Sequence, residues 1–300
     1  MADEQTERID SARAIPHAAR PARPIVSNEM RWALILTVPY LLVFALFVIY
    51  PIGYGLYLGS NPDSYTRLFD DPIYMRTLRN TLFFVVIGVN LKMILALVLS
   101  GYFFSQRWWI AAIFLVFILP WAIPSIPTIL SFRWMLNSEW GMLNNLLDDI
   151  GIGGRPWLLR PELGLGSAIV VHIWKWLPFW TLILLAGRMA IPRDIYEAAA
   201  LDGASGIRGF FGITFPLLAG LYLTCTLLST IWTLGDFNSI YLLTGGGPFD
   251  TTQVFATLSI RYAFKIGDIQ TGVAVALTAL PLIIPIVIFL VHRLGKEETA

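Results

Sequence analysis

Five polar and aromatic side chains recur at helical spacing inside one largely apolar stretch of the chain, residues 163–187. They occupy positions i, i+3, i+4, i+7 and i+8, which share one face of an α-helix: His172, Lys175, Trp176, Phe179 and Trp180. Aromatic rings beside hydrogen-bond donors suit a sugar, because its C–H face stacks on a ring while its hydroxyls need polar partners. Pro178 weakens a helix at this point and can free a backbone carbonyl. This face is therefore a candidate lining of a solute pathway.

A structural interpretation of the same face stays open. Trp and Tyr also mark the interface between a bilayer and water, and Lys175 could extend its charge to that interface or pair with another subunit. Four more polar residues are pathway candidates, because polar and ionisable groups within spans are costly and usually face a cavity or a partner. Asn90 and Lys92 lie near the middle of one apolar stretch, and Asp236 and Asn238 lie at the outer end of another.

The composition excludes several classes of function. Of the 300 residues, 56% are hydrophobic and only 14% are charged, which is typical of a membrane protein. A net charge of +1, without a basic run beyond the N-terminal tail, argues against a nucleic-acid partner. A single cysteine, Cys225, and three scattered histidines predict no disulfide and no metal site. No G-x-x-x-x-G-K-[ST] motif occurs, so we expect no ATP hydrolysis, no other catalytic site and no cofactor in this chain.

Six apolar stretches are long enough to cross a bilayer as helices, which takes about 20 residues. We predict spans at about 32–57, 81–104, 109–132, 163–187, 216–238 and 269–291. If the N-terminus is inside, eleven Lys and Arg lie in inner segments and seven in outer ones, so both termini are predicted to be cytoplasmic. We expect residues 1–30 to be a disordered cytoplasmic tail, 31–295 the transmembrane domain and 296–300 a cytoplasmic end.

One cytoplasmic segment, residues 190–216 between the fourth and fifth spans, contains many small residues. Pro192 fits a first helical position and Gly203 supplies a stop, with a second helical stretch expected over about 204–215 before the fifth span opens. Ala198–Ala200 have almost no side-chain volume, so another backbone could approach closely, and nearby carboxylates could make polar contacts. The segment is either a docking element for another protein or an ordinary loop of small residues.

The spacing within this segment resembles a known family. Glu197-Ala198-Ala199, then Gly203 after three residues, then Ile213-Thr214-Phe215-Pro216 after nine more, match the pattern EAA---G---------I-LP of ABC importer permeases. The one departure is Phe215, which stands for Leu and keeps the position apolar. In that family the loop carries the coupling helix that fits a cleft on the ATPase subunit. The resemblance therefore implies a docking surface formed by Glu197, Ala198, Ala199 and Gly203, with Asp202 at its edge.

Four further stretches resemble the sugar permeases of this family: YPIGYGLYL (50–58), ILPWAIPSIP (118–127), WKWLPFWTLILLAG (174–187) and FNSIYLLTGGGPFDTT (237–252). Together they are similar to the MalF-type subunit of the carbohydrate-uptake importers, which normally works with a MalG-type partner. This chain departs from the maltose subunit in having six predicted spans, without extra N-terminal helices or a large periplasmic insert. That departure argues against maltose as the solute.

The resemblance implies an all-α integral membrane protein of the type I ABC importer permease fold, multi-pass in the bacterial cytoplasmic (inner) membrane. The chain would form half of the pathway for a sugar or sugar-like solute. The implied partners are a cytoplasmic ABC ATPase dimer that binds the ATP, a second homologous permease subunit, an extracytoplasmic solute-binding protein and membrane lipid. The alternative is an ion-coupled secondary transporter or channel without ATPase partners. Such a protein would be expected to carry carboxylates inside its spans, and Asp236, at an edge, is the one candidate.

Overall fold

The described residues of this computed structural model, 28–105 and 107–297, form helices joined by turns, and no strand occurs within them. The chain divides into two units, residues 1–54 and 55–300. The first unit contains α1 (Asn28–Phe44), a π-helical turn (Ala45–Ile49) and the beginning of α2 (Tyr50–Leu58). Met30–Leu58 is long and apolar enough for a span. The predicted tail lies outside the described residues as far as residue 27, and so do residues 298–300 of the predicted cytoplasmic end.

The second unit holds the remaining helices. In chain order they are α3 (Pro62–Asp70), α4 (Pro72–Phe103), α5 (Trp108–Ala122), α6 (Ser125–Met135), α7 (Met142–Asp149), α8 (Pro161–Met189), α9 (Arg193–Leu201), α10 (Gly206–Gly209), α11 (Phe215–Leu234), α12 (Asn238–Tyr241), α13 (Phe255–Ile260), α14 (Ile269–Leu277) and α15 (Leu280–Glu297). Two π-helical turns, Phe210–Thr214 and Arg261–Ile266, follow α10 and α13. Among the described residues, five helical runs can span a membrane, and α5 with α6 makes a sixth if the bent pair is one span.

The third span, predicted at about 109–132, is bent. It is divided into α5 and α6, whose axes differ in direction by 96°. Ile123 and Pro124, between the two helices, have ψ angles of 139° and 143°, which are extended rather than helical. The cause is local, because a residue that precedes proline is excluded from the α region and proline itself lacks an N–H. The stretch predicted as the third span is therefore a bent pair of helices.

The fifth span begins earlier in the chain than predicted, within the cytoplasmic segment 190–216. Gly206–Leu234 is one helical run, so the second helical stretch expected before residue 216 and the span itself are continuous. The Phe215 N–H bonds to the Phe210 carbonyl across the π-helical turn, and Pro216 therefore continues this helix instead of opening a new one. The helix ends before Gly235. Two pathway candidates, Asp236 and Asn238, therefore lie after the span and not in its last turn. The predicted bounds 216–238 were wrong in this respect.

Helices α4 and α8 pack along each other and form the centre of the second unit. Val89 and Met93 of α4 meet Trp180 and Leu184 of α8 in one buried apolar cluster, which Leu218 of α11 joins. Because lipid is as apolar as these side chains, helices in a membrane are held by van der Waals packing and interhelical hydrogen bonds. The buried polar side chains between these helices are therefore important for the fold as well as for function.

Candidate solute pathway and docking segment

A chain of three buried ionisable side chains joins α4, α8 and the turn after α11. Lys92 is 1% exposed and His172 is 2% exposed. The Lys92 ammonium lies 2.9 Å from His172 Nε2, and His172 Nδ1 lies 2.6 Å from a carboxylate oxygen of Asp236. Thr233 contributes its hydroxyl at 3.2 Å from the same imidazole nitrogen, Nε2. The sequence pointed to these ionisable residues separately, and the structure brings them together.

The hydrogen-bond partners assign the charges within this chain. An ammonium has only donors, so Lys92 donates to an unprotonated Nε2, and the imidazole is then neutral with its proton on Nδ1. That proton is donated to Asp236, whose carboxylate also accepts from the Ser239 backbone N–H at 3.0 Å and from the Ser239 hydroxyl. The positive charge of Lys92 and the negative charge of Asp236 therefore stabilise each other, with the imidazole of His172 between them. We call Lys92, His172 and Asp236 the buried charge relay, a name that refers to this arrangement and not to proton transfer.

Beside the relay, four aromatic side chains from three helices form a partly open surface. Phe179 stacks on Trp121 with ring centroids 5.5 Å apart and an interplanar angle of 30°. Trp232 of α11 lies 5.8 Å from Trp176 and 5.5 Å from Phe179, centroid to centroid. Trp121 and Trp232 remain 39% and 47% exposed. We call Trp121, Trp176, Phe179 and Trp232 the aromatic wall.

The predicted face of α8 thus has two environments. Trp176 and Phe179 are partly exposed and belong to the wall, whereas Trp180 is 1% exposed and packs behind it, 5.4 Å from Trp232. The sequence analysis did not single out Trp121 and Trp232, the members of the wall outside α8. Their signal was present as aromatic residues in apolar stretches, but only the fold shows that they meet the α8 face.

Three other predicted or neighbouring polar residues do not join this site. Asn90 is exposed and its amide donates to the Val86 carbonyl on its own helix at 2.7 Å. Asn238 is exposed at the start of α12. Arg133 donates to the Leu242 carbonyl at 3.4 Å, which ties α6 to the segment after α12. The structure therefore does not place the amides of Asn90 and Asn238 with the relay.

Lys175 has a role that its sequence position did not predict. Its side chain is buried, at 4% exposure, and the ammonium donates to the carbonyls of Pro120 at 2.8 Å, of Trp121 at 3.2 Å and of Ile123. An ammonium has three donors, so these three carbonyls use all of them. In this structure all donors of the Lys175 ammonium are therefore directed to the backbone of the third span.

Residues 190–216, which we call the docking segment after the role that the resemblance implies, contain the predicted short helix. Helix α9 follows Pro192, which is the N-cap residue rather than the first helical residue as predicted. The helix stops at Gly203, whose φ of +75° lies in the left-handed region where glycine carries no Cβ penalty. The Ala204 N–H bonds to the Ala199 carbonyl at 2.8 Å, and the Gly203 N–H bonds to the Ala200 carbonyl at 3.1 Å. These two bonds are the Schellman motif, which confirms the predicted helix end.

The exposed surface of the docking segment differs in part from the predicted one. Glu197, Ala198, Asp202 and Gly203 are exposed, whereas Ala199, predicted to share their surface, is only 8% exposed in this structure. The helical repeat explains this, because Ala199 lies on the face that packs toward the following turn. Two large apolar side chains that the sequence analysis missed protrude instead, Leu201 at 90% and Ile207 at 79% exposure.

Contacts between side chains connect this segment to the spans. The Tyr196 hydroxyl lies 3.2 Å from that of Thr214 in the π-helical turn before α11. Arg188, near the end of α8, is 8% exposed and places its guanidinium 5.8 Å from the centroid of the Phe210 ring. The same guanidinium donates to the Ser100 hydroxyl of α4 at 3.4 Å. These contacts link α9 to the π-helical turn before α11, and Arg188 of α8 links that turn to α4.

Comparisons with known proteins agree on one family. The sequence profile of the family described as "Binding-protein-dependent transport system inner membrane component" matches residues 92–294. The sulfoquinovosyl glycerol transport system permease protein SmoG of Agrobacterium fabrum is 33% identical over 261 residues, which cover 81% of this chain and 84% of SmoG. The trehalose/maltose transport system permease protein MalF of Thermococcus litoralis is 30% identical over 270 residues, which cover 86% of this chain and 91% of MalF.

The fold is similar to that of a solved transporter. A chain in the crystal structure of a bacterial alginate ABC transporter, in complex with an alginate pentasaccharide-bound periplasmic protein, superposes with a TM-score of 0.79 at 22% identity and covers 88% of this chain and 94% of its own length. The likeness confirms the predicted type I permease fold, and the family confirms the inner membrane as its location. The chain belongs to the binding-protein-dependent transport system inner membrane components and is a non-catalytic, membrane-spanning permease subunit of an ABC importer.

Proposed function

We propose that this permease subunit imports a sugar or sugar-like solute, which stacks on the aromatic wall as it crosses the membrane. The observation that carries the proposal is the position of Trp121 and Trp232, whose rings remain partly exposed beside the buried charge relay. A sugar needs both surfaces, because its C–H face stacks on aromatic rings while its hydroxyls need hydrogen-bond partners. The names of SmoG and MalF, which refer to glycosides and disaccharides, support this class of solute.

Helix α8 carries both a polar partner and two rings of the wall. His172 lies one turn before Trp176 on the same helix, and its imidazole is oriented by Asp236. We expect solute hydroxyls to interact with the Asp236 end of the relay, where the carboxylate is 11% exposed, rather than with the enclosed ammonium of Lys92. The relay then has two roles, since it compensates a buried cation and presents an oriented acceptor.

For the energy source we propose docking of an ABC ATPase dimer, which binds and hydrolyses the ATP. The exposed surface of Glu197, Ala198, Asp202, Leu201 and Ile207 would enter a cleft on one ATPase subunit. A second homologous permease subunit would complete the pathway, and an extracytoplasmic binding protein would deliver the solute. ATP-driven closure would displace α9, and the contacts of Tyr196 and Arg188 would transmit that displacement to the spans.

The alternative, an ion-coupled transporter, has less support. The family operates with a binding protein. Within the described membrane-spanning helices the only carboxylate is Glu162, in the first turn of α8, whereas Asp236 follows α11 and bonds to His172. We therefore retain the ATP-driven importer as the proposal.

Uptake of radiolabelled solutes in the source organism tests the sugar pathway. The gene is deleted and supplied again with Trp232→Ala or Phe179→Ala, and cells are offered trehalose, maltose and sulfoquinovosyl glycerol at subsaturating concentration. Because an aromatic stacking contact contributes about 0.5–1.5 kcal/mol, each variant should lower uptake of the transported solute by roughly 2- to 13-fold. Trp108→Ala, an 82% exposed tryptophan outside the wall, is the matched control and should leave uptake unchanged. Equal uptake in all variants would exclude the aromatic wall as the sugar surface.

A further inference from the structure

The break in the third span leaves carbonyl groups that its own helices cannot satisfy. Helix α5 ends at Ala122, and the Pro120 carbonyl would bond to the N–H of residue 124 if the helix continued. Residue 124 is a proline and has no N–H to donate. Inside a membrane an unsatisfied backbone carbonyl costs several kcal/mol, so a broken helix persists only where other groups satisfy it. Something outside α5 and α6 must therefore hold this break.

The Lys175 ammonium satisfies this requirement. It lies in the middle of α8 (Pro161–Met189), and it donates to the carbonyls of Pro120, Trp121 and Ile123, at the end of α5 and just beyond it. A cation is also favoured at the carboxyl end of a helix, where the helix dipole is negative. Within the described residues the salt bridges are Arg67–Asp268 and Arg261–Asp250, and the neutral His172 bonds to Asp236. None of these contacts involves Lys175, so carbonyl dipoles and not a carboxylate stabilise its charge.

The same contact fixes one ring of the aromatic wall. Trp121 belongs to the last turn of α5, and its carbonyl is one of the three acceptors. Its indole stacks on Phe179, which lies one helical turn after Lys175 on α8, with centroids 5.5 Å apart. From one face of α8, Lys175 thus binds the backbone of Trp121 and Phe179 packs against its side chain. Loss of the ammonium would release the end of α5 and the ring together.

We propose that Lys175 is a positioning residue that holds the break in the third span and thereby keeps Trp121 in the aromatic wall, without touching the solute. The part that concerns transport rests on the sugar pathway proposed above. The part that concerns the break does not, and it is tested separately.

The break is tested by the reactivity of a single cysteine. The chain has one native cysteine, Cys225, which is buried, so Cys225→Ala provides a background without thiols. Ser125→Cys, at the first residue of α6, then reports on the break through its rate of reaction with a maleimide in native membranes. Lys175→Met should change that rate at least several-fold, and Lys175→Arg should restore it. Equal rates in the Lys, Met and Arg forms would overturn the proposal.

Uptake of the panel solute that the unaltered transporter carries tests the second part. Lys175→Met should lower uptake by the same roughly 2- to 13-fold as Trp121→Ala, and the double variant should lose no more than either single one, because both changes remove one ring from the wall. Losses that multiply would show that Lys175 does not act through Trp121 and would overturn this part. If Lys175→Met fails to insert, Lys175→Gln, which keeps two amide donors, replaces it. If Lys175→Met alters the reactivity of the cysteine at position 125 but every wall variant takes up solute normally, Lys175 does hold the break. The proposed sugar pathway along the aromatic wall is then excluded.

Discussion

Replacing Asp236 with Asn should reveal how much the buried charge relay stabilises the permease. Asn keeps one oxygen, which can accept the proton of His172 Nδ1, but its NH2 group replaces the second oxygen, which accepts from the Ser239 N–H, so the change removes the negative charge and one hydrogen bond. Lys92, at 1% exposure, is then left without compensation in the apolar centre of the chain. Breaking a buried ion pair costs about 3–5 kcal/mol, and we take the lower end, about 3 kcal/mol, because an imidazole separates the two charges. At 2–4 °C per kcal/mol the unfolding midpoint should fall by roughly 6–12 °C.

Thermal unfolding of the purified transporter in detergent measures this effect, with two comparisons. Asp250→Asn is the matched control, because Asp250 is 25% exposed, pairs with Arg261 at 2.9 Å and should contribute at most about 1 kcal/mol. Lys92→Met in the Asp236→Asn background removes the uncompensated cation and should recover about half or more of the lost stability. If Asp236→Asn is no less stable than Asp250→Asn, or if the double variant is no better than the single one, the relay does not compensate charge as described.

Three further outcomes are expected. Gly187→Ala should lower the unfolding midpoint, because the new Cβ would lie 2.2 Å from Leu221 Cδ2 and overpacking costs about 1–3 kcal/mol. Gly166→Ala, on the same helix, is the control: its Cβ would meet no atom within 4 Å, so the change should be neutral or slightly stabilising. Gly203→Ala should reduce the amount of ATPase that co-purifies, because a left-handed Ala costs about 1–2 kcal/mol, and Gly203→Asn should reduce it less. Burial raises the pKa of Asp268, but hydrogen bonds from Thr271 and the charge of Arg67 outweigh it and leave that pKa below its ordinary value. Asp268 therefore stabilises the fold above its unfolded pKa of about 3.9, and its midpoint advantage over Asp268→Asn should shrink as the pH falls from 5 to 3.

Local rules in the sequence predicted the features that depend on nearby residues. The spans followed from long apolar stretches, and the end of α9 followed from Gly203, since glycine is the residue that adopts a positive φ without a Cβ penalty. The prolines at 120, 124 and 127 were a visible signal of the break in the third span. Their effect on the direction of the chain was not predicted, because a proline can also be accommodated in a kinked helix, as Pro178 is in α8.

Local sequence rules could not predict the contacts between residues that lie far apart in the chain. Helical spacing placed His172, Lys175 and Phe179 on one face, but it could not tell which of them meets a carboxylate, a broken helix or an open surface. Lys175 and its acceptors are more than 50 residues apart, at sequence separations of 52 to 55. Helical phase also decided that Ala199 faces inward while Leu201 protrudes. Each of these outcomes depends on packing partners that the local sequence does not name.

Purification of the tagged chain from its native membrane in mild detergent tests docking of the ATPase to this permease. We expect an ATPase with a Walker motif and a second permease to co-purify with the unaltered chain, and Glu197→Lys to lose the ATPase while the chain remains inserted. Glu162→Lys, the same charge reversal at the start of α8 and outside the docking segment, should retain it. Equal recovery of the ATPase with Glu197→Lys and Glu162→Lys would contradict docking through the segment that contains α9.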